Sequence, residues 1–367
     1  MMQDRQPRRI HIRINDARTF LLILIGGVCL GLYLAIRAMA PAKQEPPPPD
    51  ADGIPHVVDP VSEEIHDATG YQPDREGTDA FLATLDKPTL AEAAPHLLGA
   101  GPQDGDPVLL YRALLEAKPG WKVGKQGIGD CCSWGWCHAA DVLLAVEMKL
   151  GETGTWKQAA TEASYGLMRV EAAGKSSGGW GDGSYGGAAA KAAKNFGYLF
   201  RQPYPGVDLT LYSAERAKNW GNYGCGGQGD DGRLDALAKE HPIKTVALVG
   251  TYDEAAAAIA NGFPVPVCSG QGFSSTRDSD GFARAQGSWS HCMCFIGVRY
   301  GNRPGLLCLN SWGTSWITGP KFPPDQPDGS FWVEKSVAAK MLSGRDSFAV
   351  SAYVGFPRRK LKHSEGW

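Results

Sequence analysis

The apolar positions of this chain change their rhythm along its length. Thr19 to Ile36 run without a charge, preceded by Arg5, Arg8, Arg9, Arg13 and Arg18 and followed by Arg37. At helical rise these 18 residues come close to spanning a hydrocarbon core. The basic flank before them directs the N-terminus to the cytoplasm. The pattern predicts a basic cytoplasmic tail over 1–18 and an uncleaved anchor in the lipid bilayer over 19–40. The rest of the chain is then expected outside the cytoplasm, in a single-pass membrane protein. A cleaved signal peptide ending at Ala38-Met39-Ala40 fits less well, because the apolar run is long for one and Pro41 follows the cut.

Residues 41–75 are proline-rich and bury nothing, which reads as an extended stem. Over 76–118, Asp79–Leu85, Thr89–Ala94 and Pro107–Ala117 are short amphipathic pieces separated by Pro and Gly, a helical lead-in. The same period predicts helices from Cys131 to Leu150, from Trp156 to Ala173 and from Ala188 onward. Beyond about Ile243 short apolar runs take over: 243–249, 264–268, 291–298, 305–310, 329–333 and 347–354 read as strands, with a helix over 253–260. A helical half followed by a β half predicts an α+β fold, ending in a basic tail over 357–367.

Composition removes several function classes. The 367 residues are 43% hydrophobic and 21% charged, with a net charge of −2, so nothing electrostatic favours a nucleic-acid partner. Gly181-Asp-Gly-Ser-Tyr-Gly matches a dinucleotide-binding glycine pattern, but no strand precedes it and no βαβ unit surrounds it. Nine cysteines are unevenly spread and expected to be mostly free thiols; adjacent Cys131 and Cys132 make a poor disulfide. A zinc site from Cys131, Cys132, Cys137 and His138 lacks a Cys-x2-Cys pair. No metal or cofactor is expected.

Candidate chemistry starts at Gly127-Ile-Gly-Asp-Cys-Cys-Ser-Trp, a glycine turn, a capping Asp130 and a thiol at a helix start. The positive end of the helix dipole and unpaired amides favour a thiolate there. A nucleophilic cysteine needs a base and a group to orient that base. His291 begins one predicted strand and Asn310 ends the next, so a hairpin would bring them side by side.

These residues resemble the papain-like cysteine peptidases. Gln126 ahead of Gly-Asp-Cys, His291 before an apolar strand, and Asn310-Ser311-Trp312-Gly313 followed by Thr-Ser-Trp carry the resemblance, which covers 119–356. It implies a helical left half and a β-barrel-like right half with the cleft between them, and hydrolysis of a peptide or protein substrate through a thioester acyl-enzyme. Residue by residue, it implies Cys131 as nucleophile, His291 as base, Asn310 as its orienter, Trp312 as a shield and Gln126 as an oxyanion donor. Trp134, three residues after Cys131, favours Cys131 over the alternative nucleophile Cys132; the Gln126 spacing pulls the other way. Gly183, Gly186, Gly187 and Val265 are the candidates for substrate binding. Two features depart from the family: Asp130 sits directly before the nucleophile, and Ile128 stands where an upstream disulfide cysteine is expected. A non-catalytic or acyl-transferring protein on the same scaffold is the alternative.

Overall fold

A computed structural model describes residues 57–58, 65–66, 70–99, 106–175 and 181–367. The predicted anchor over 19–40 lies outside the described residues, and no described helix is long and apolar enough to cross a membrane.

The helix Cys131–Lys149 forms the spine of the domain. It is buried on nearly all sides, including Ser133, His138, Asp141 and Glu147, which is the signature of a helix enclosed by protein. The helices Thr161–Gly166 and Gly186–Asn195 pack on it, and Ala214–Tyr223 packs in turn on Thr161–Gly166. The helix expected over 156–173 starts only at Thr161, and from Leu167 to Ala172 it widens into a π-helical turn. Glu162, wholly buried there, is held by Arg201 at 2.5 Å and Arg216 at 3.1 Å.

Eleven short and long strands occur among the described residues. The pair β1 (Val57–Val58) and β2 (Ile65–His66) stands apart from the main sheet. The lead-in contributes β3 (Val108–Leu109), and β4 (Pro203–Tyr204) pairs β5 (Val207–Asp208). The β half holds β6 (Thr245–Leu248), β7 (Val265–Arg277), β8 (Ala283–Arg299), β9 (Gly305–Leu309), β10 (Ser330–Glu334) and β11 (Phe348–Ser351). One sheet runs β10-β9-β8-β3 with β7 also on β8, and β11 pairs β6 separately. The barrel-like half expected from the resemblance is therefore an open sheet: β3 and β7 share one edge of β8, and no closed barrel forms among the described residues. The central strand β8 is long, and its two ends recruit different partners.

Gly135 fixes how closely spine and sheet approach. A Cβ on it would lie 2.8 Å from the Met293 carbonyl oxygen and 3.2 Å from Cys292 Sγ. Glycine inside a helix costs about 1 kcal/mol against alanine; here it lets the helix rest directly on β8. The segment after β11 also folds back onto the domain. Arg359 pairs with buried Glu147 at 2.6 Å, and Trp367 is 3% exposed.

Candidate active site

The register between β8 and β9 pairs Cys294 with Leu309 and Phe295 with Cys308. Continued three residues, it sets His291 opposite Trp312 and diagonal to Asn310, within side-chain reach. The His291 Nε2–H donates to Asn310 Oδ1 at 2.6 Å, and the Ser311 amide donates to the same oxygen at 2.7 Å. That bond assigns the proton to Nε2 and leaves Nδ1, which has no other nitrogen or oxygen partner, as the basic nitrogen. The Trp312 ring covers the imidazole at 4.7 Å between centroids and 31° between planes, and Trp289 and Trp316 close around Trp312.

Cys131 reaches the same place from the helix start. The amide of Cys292, next to His291, donates to Cys131 Sγ at 3.3 Å. Burial pushes the Cys131 thiol well above its ordinary range and Cys132 adds to the rise, while His291 pulls it down by charge and by hydrogen bonding. Cys132 points elsewhere: its thiol donates to the carbonyls of Ser184 at 3.2 Å and Gly70 at 3.5 Å. Adjacent helical residues diverge by roughly 100°, so the two thiols take different backbone partners although each still acts on the other. Gln126 is tied to the residue after Asn310, its amide donating to Ser311 O at 2.8 Å and its Oε1 accepting from Ser311 Oγ at 2.6 Å. Its Nε2 donates to Ile128 O at 2.9 Å.

Asp130 does not cap the helix with its side chain. Its backbone carbonyl takes the Ser133 amide at 2.9 Å, while its carboxylate accepts from the Tyr212 hydroxyl at 3.0 Å. That hydroxyl in turn accepts the Gly127 amide at 3.1 Å, so Tyr212 ties the glycine turn to the helix start. Burial raises the Asp130 carboxyl well above the usual range, with Tyr212 acting against it. By disfavouring the charged carboxyl, burial lessens the negative charge that would oppose a thiolate next door.

The thiol is also covered, which the sequence did not lead us to expect. Cys131, His291 and Asn310 are each 0% exposed. Gly70-Tyr71-Gln72, from the end of the predicted stem, runs over Cys131 as a backbone strap between Ser184 and Ser290. Its Tyr71 amide donates to Ser290 O at 3.1 Å, its Gln72 amide to Ser184 O at 2.8 Å, and Gly70 O accepts the Ser184 amide at 2.9 Å. Only glycine fits at position 70: a Cβ there would lie 2.5 Å from both Cys131 Sγ and Gly129 O. Beyond the strap, Asp74 caps the helix Arg75–Leu82, and Thr78 on that helix donates to Asp346 at 2.7 Å. The Gly70–Tyr71 pair just before Pro73-Asp74 was the only sequence signal available.

The other expected substrate-binding residues are placed differently from one another. Gly183 is adjacent to the strap, with its amide on the Tyr165 hydroxyl at 2.7 Å; Ser184, the next residue, makes two of the strap's three backbone hydrogen bonds. Gly186 and Gly187 begin a helix and donate to Asp346 at 2.7 and 2.8 Å. Val265 is buried in β7 opposite Phe295. A separate cleft of about 800 Å³ lies along the β7–β8 hairpin, lined by Arg277, Arg284, Arg303 and Glu334 among others, and includes none of these residues.

No protein-family model matches the chain, and no curated protein does. Solved structures do. Xylellain, a cysteine protease from Xylella fastidiosa, is 16% identical, with a TM-score of 0.50 over 78% of this chain and 97% of that one. A procathepsin B from Trypanosoma congolense is 11% identical, with a TM-score of 0.47 over 77% of this chain and 86% of that one. A digestive procathepsin L from Tenebrio molitor larval midgut is 16% identical, with a TM-score of 0.43 over 75% and 79%. The chain has the papain-like fold.

Proposed function

We propose that this protein is a thiol peptidase stored in a latent form. The observation that carries the reading is the His291–Asn310 hydrogen bond of 2.6 Å, which leaves His291 Nδ1 for Cys131. In the open enzyme Cys131 gives its proton to His291, and the thiolate attacks a substrate carbonyl. The oxyanion is received by the Cys131 amide at the helix start and by Gln126 Nε2 once it turns from Ile128 O. His291 then protonates the leaving amine, and a thioester remains. Water activated by His291 hydrolyses it and restores the thiol. Asn310 keeps the imidazole in the required tautomer, and Trp312 keeps water from that bond.

Latency comes from the strap. With Gly70 against Sγ no substrate carbonyl can approach, and the desolvated thiol stays protonated. Ser184 and Ser290, which hold the strap by its backbone, offer the same groups to an extended peptide. The proposal includes attachment to a bilayer through the uncharged stretch 19–40, with the catalytic domain extracytoplasmic.

The test is labelling with an epoxide-type thiol-peptidase probe on the full chain, comparing wild type, Gly70→Ala, and each combined with Cys131→Ala. Labelling of Cys131, faster when position 70 is alanine, is expected. Absence of labelling in both the wild-type and Gly70→Ala chains under reducing conditions would remove the peptidase reading. Carbonate-resistant sedimentation with membranes, lost on deletion of 19–36, tests the anchor.

A further inference from the structure

Beneath the nucleophile lies a second group of thiols that the peptidase chemistry does not use. Cys132 comes from the spine helix, Cys268 from β7 and Cys292 from β8, and their three Sγ atoms lie within 4.8 Å of one another. All three residues are 0% exposed. Cys268 and Cys292 are direct partners across the β7–β8 ladder. Their amides leave the ladder at this step: Cys268 N–H donates to Ser347 Oγ at 3.3 Å and Cys292 N–H to Cys131 Sγ at 3.3 Å. That makes them a non-hydrogen-bonded pair, the geometry in which opposed side chains stand closest. The first turn of the helix sets Cys132 against both. Three polarisable donors thus converge from three rigid elements, and the proposed mechanism with Cys131 as nucleophile uses none of the three thiols.

We propose that Cys132, Cys268 and Cys292 form a binding site for one monovalent copper ion. The donor set selects the metal. Thiolates prefer soft cations, and copper(I) accepts three sulfur donors, whereas a structural zinc site needs four. No histidine or carboxylate joins the cluster among the described residues, and the burial of all three sulfurs shuts out the water that would complete zinc. Copper(I) with two thiolates and one thiol releases two protons to solvent and leaves one net negative charge. That charge sits at the N-terminal end of the spine helix, where the dipole favours it. The strap forms part of the roof, since Gly70 O accepts from the Cys132 thiol. The site therefore fills as the chain folds, or while the strap is away. This inference stands independently of the peptidase reading.

The experiment uses the full chain with Cys131→Ser, so that the nucleophile is not itself a ligand. Copper(I) is titrated anaerobically against a chromophoric copper(I) chelator, and the loaded protein is studied by X-ray absorption. One copper per chain, a first shell of three sulfurs without nitrogen or oxygen, and a rise in Tm with one equivalent are expected. Cys268→Ser on the same background, checked for unchanged circular dichroism, weakens binding at least about tenfold. No stoichiometric copper, a shell containing nitrogen or oxygen, or undiminished binding in Cys268→Ser would each overturn the site. So would thiol counting that finds Cys268 and Cys292 already joined as a disulfide.

Discussion

The helical and β halves build their share of the candidate site by different physics. On the β side, strand pairing does much of the positioning: β8 carries His291, and Asn310 and Trp312 follow directly on its partner β9. On the helical side one rotational step decides which thiol meets the His291 strand, because Cys131 and Cys132 sit side by side and only their azimuth differs. The β side is thus tolerant, with every group braced by several neighbours. The helical side turns on a single glycine turn held by Tyr212 and Asp130.

The largest effect should come from separating the two thiols. Cys131→Ala is expected to lower kcat/KM of the opened enzyme by at least about a thousandfold, and Cys132→Ala by less than about tenfold. The reverse ranking in turnover of a fluorogenic peptide would move the nucleophile and dissolve the contrast. Next comes the β side: His291→Ala should cost roughly 10²–10⁴-fold, as loss of a general base does. Asn310→Ala should cost less, because Trp312 still holds the ring; equal losses would show that the hydrogen bond alone sets its position.

Gly70→Ala works in the opposite direction. The methyl group has no room between Cys131 Sγ and Gly129 O. Overpacking of about 1–3 kcal/mol should favour the open form, raising the probe-labelling rate roughly 5- to 150-fold. An unchanged rate would mean that the strap is not the barrier. The smallest effect concerns stability. His138 is buried with neither ring nitrogen bonded, between Trp121 and Trp134, and burial lowers its pKa from 6.5 to about 3. The unfolded chain binds the extra proton first, so stability falls as pH drops from 6.5 toward about 3, by at most about 1.4 kcal/mol per pH unit. His138→Phe should flatten that limb in urea titrations at several pH values; an unaltered slope would assign acid sensitivity to other groups.

The same asymmetry decided what could be read in advance. Buried strands of the β half announced themselves as apolar runs, and Val265, Phe295 and Leu309 lie on them as expected. The outer hairpin did not, because Ser269–Arg277 and Ala283–Ser290 are mainly polar and glycine-rich; their pairing is supplied by the partner strand and not by a hydrophobic face. Asp130 looked like a helix cap because Asp before a helix usually is one. Tyr212, 82 residues away in sequence, outbid the helix amides for its carboxylate. The dipole argument for a thiolate at Cys131 considered an exposed helix end; here that end is buried, and burial prevails. The strap was the least legible part, since three backbone hydrogen bonds leave no side-chain pattern.

The indoles of Trp289, Trp312 and Trp316 stack within 4.6–5.9 Å of one another, with His291 against the middle ring. A protonated imidazole withdraws an excited indole's electron more readily than a neutral one. The proposed opening would therefore carry its own optical gauge: a proton passing from sulfur to ring should dim the emission, and stopped-flow fluorescence would time that step without any added label.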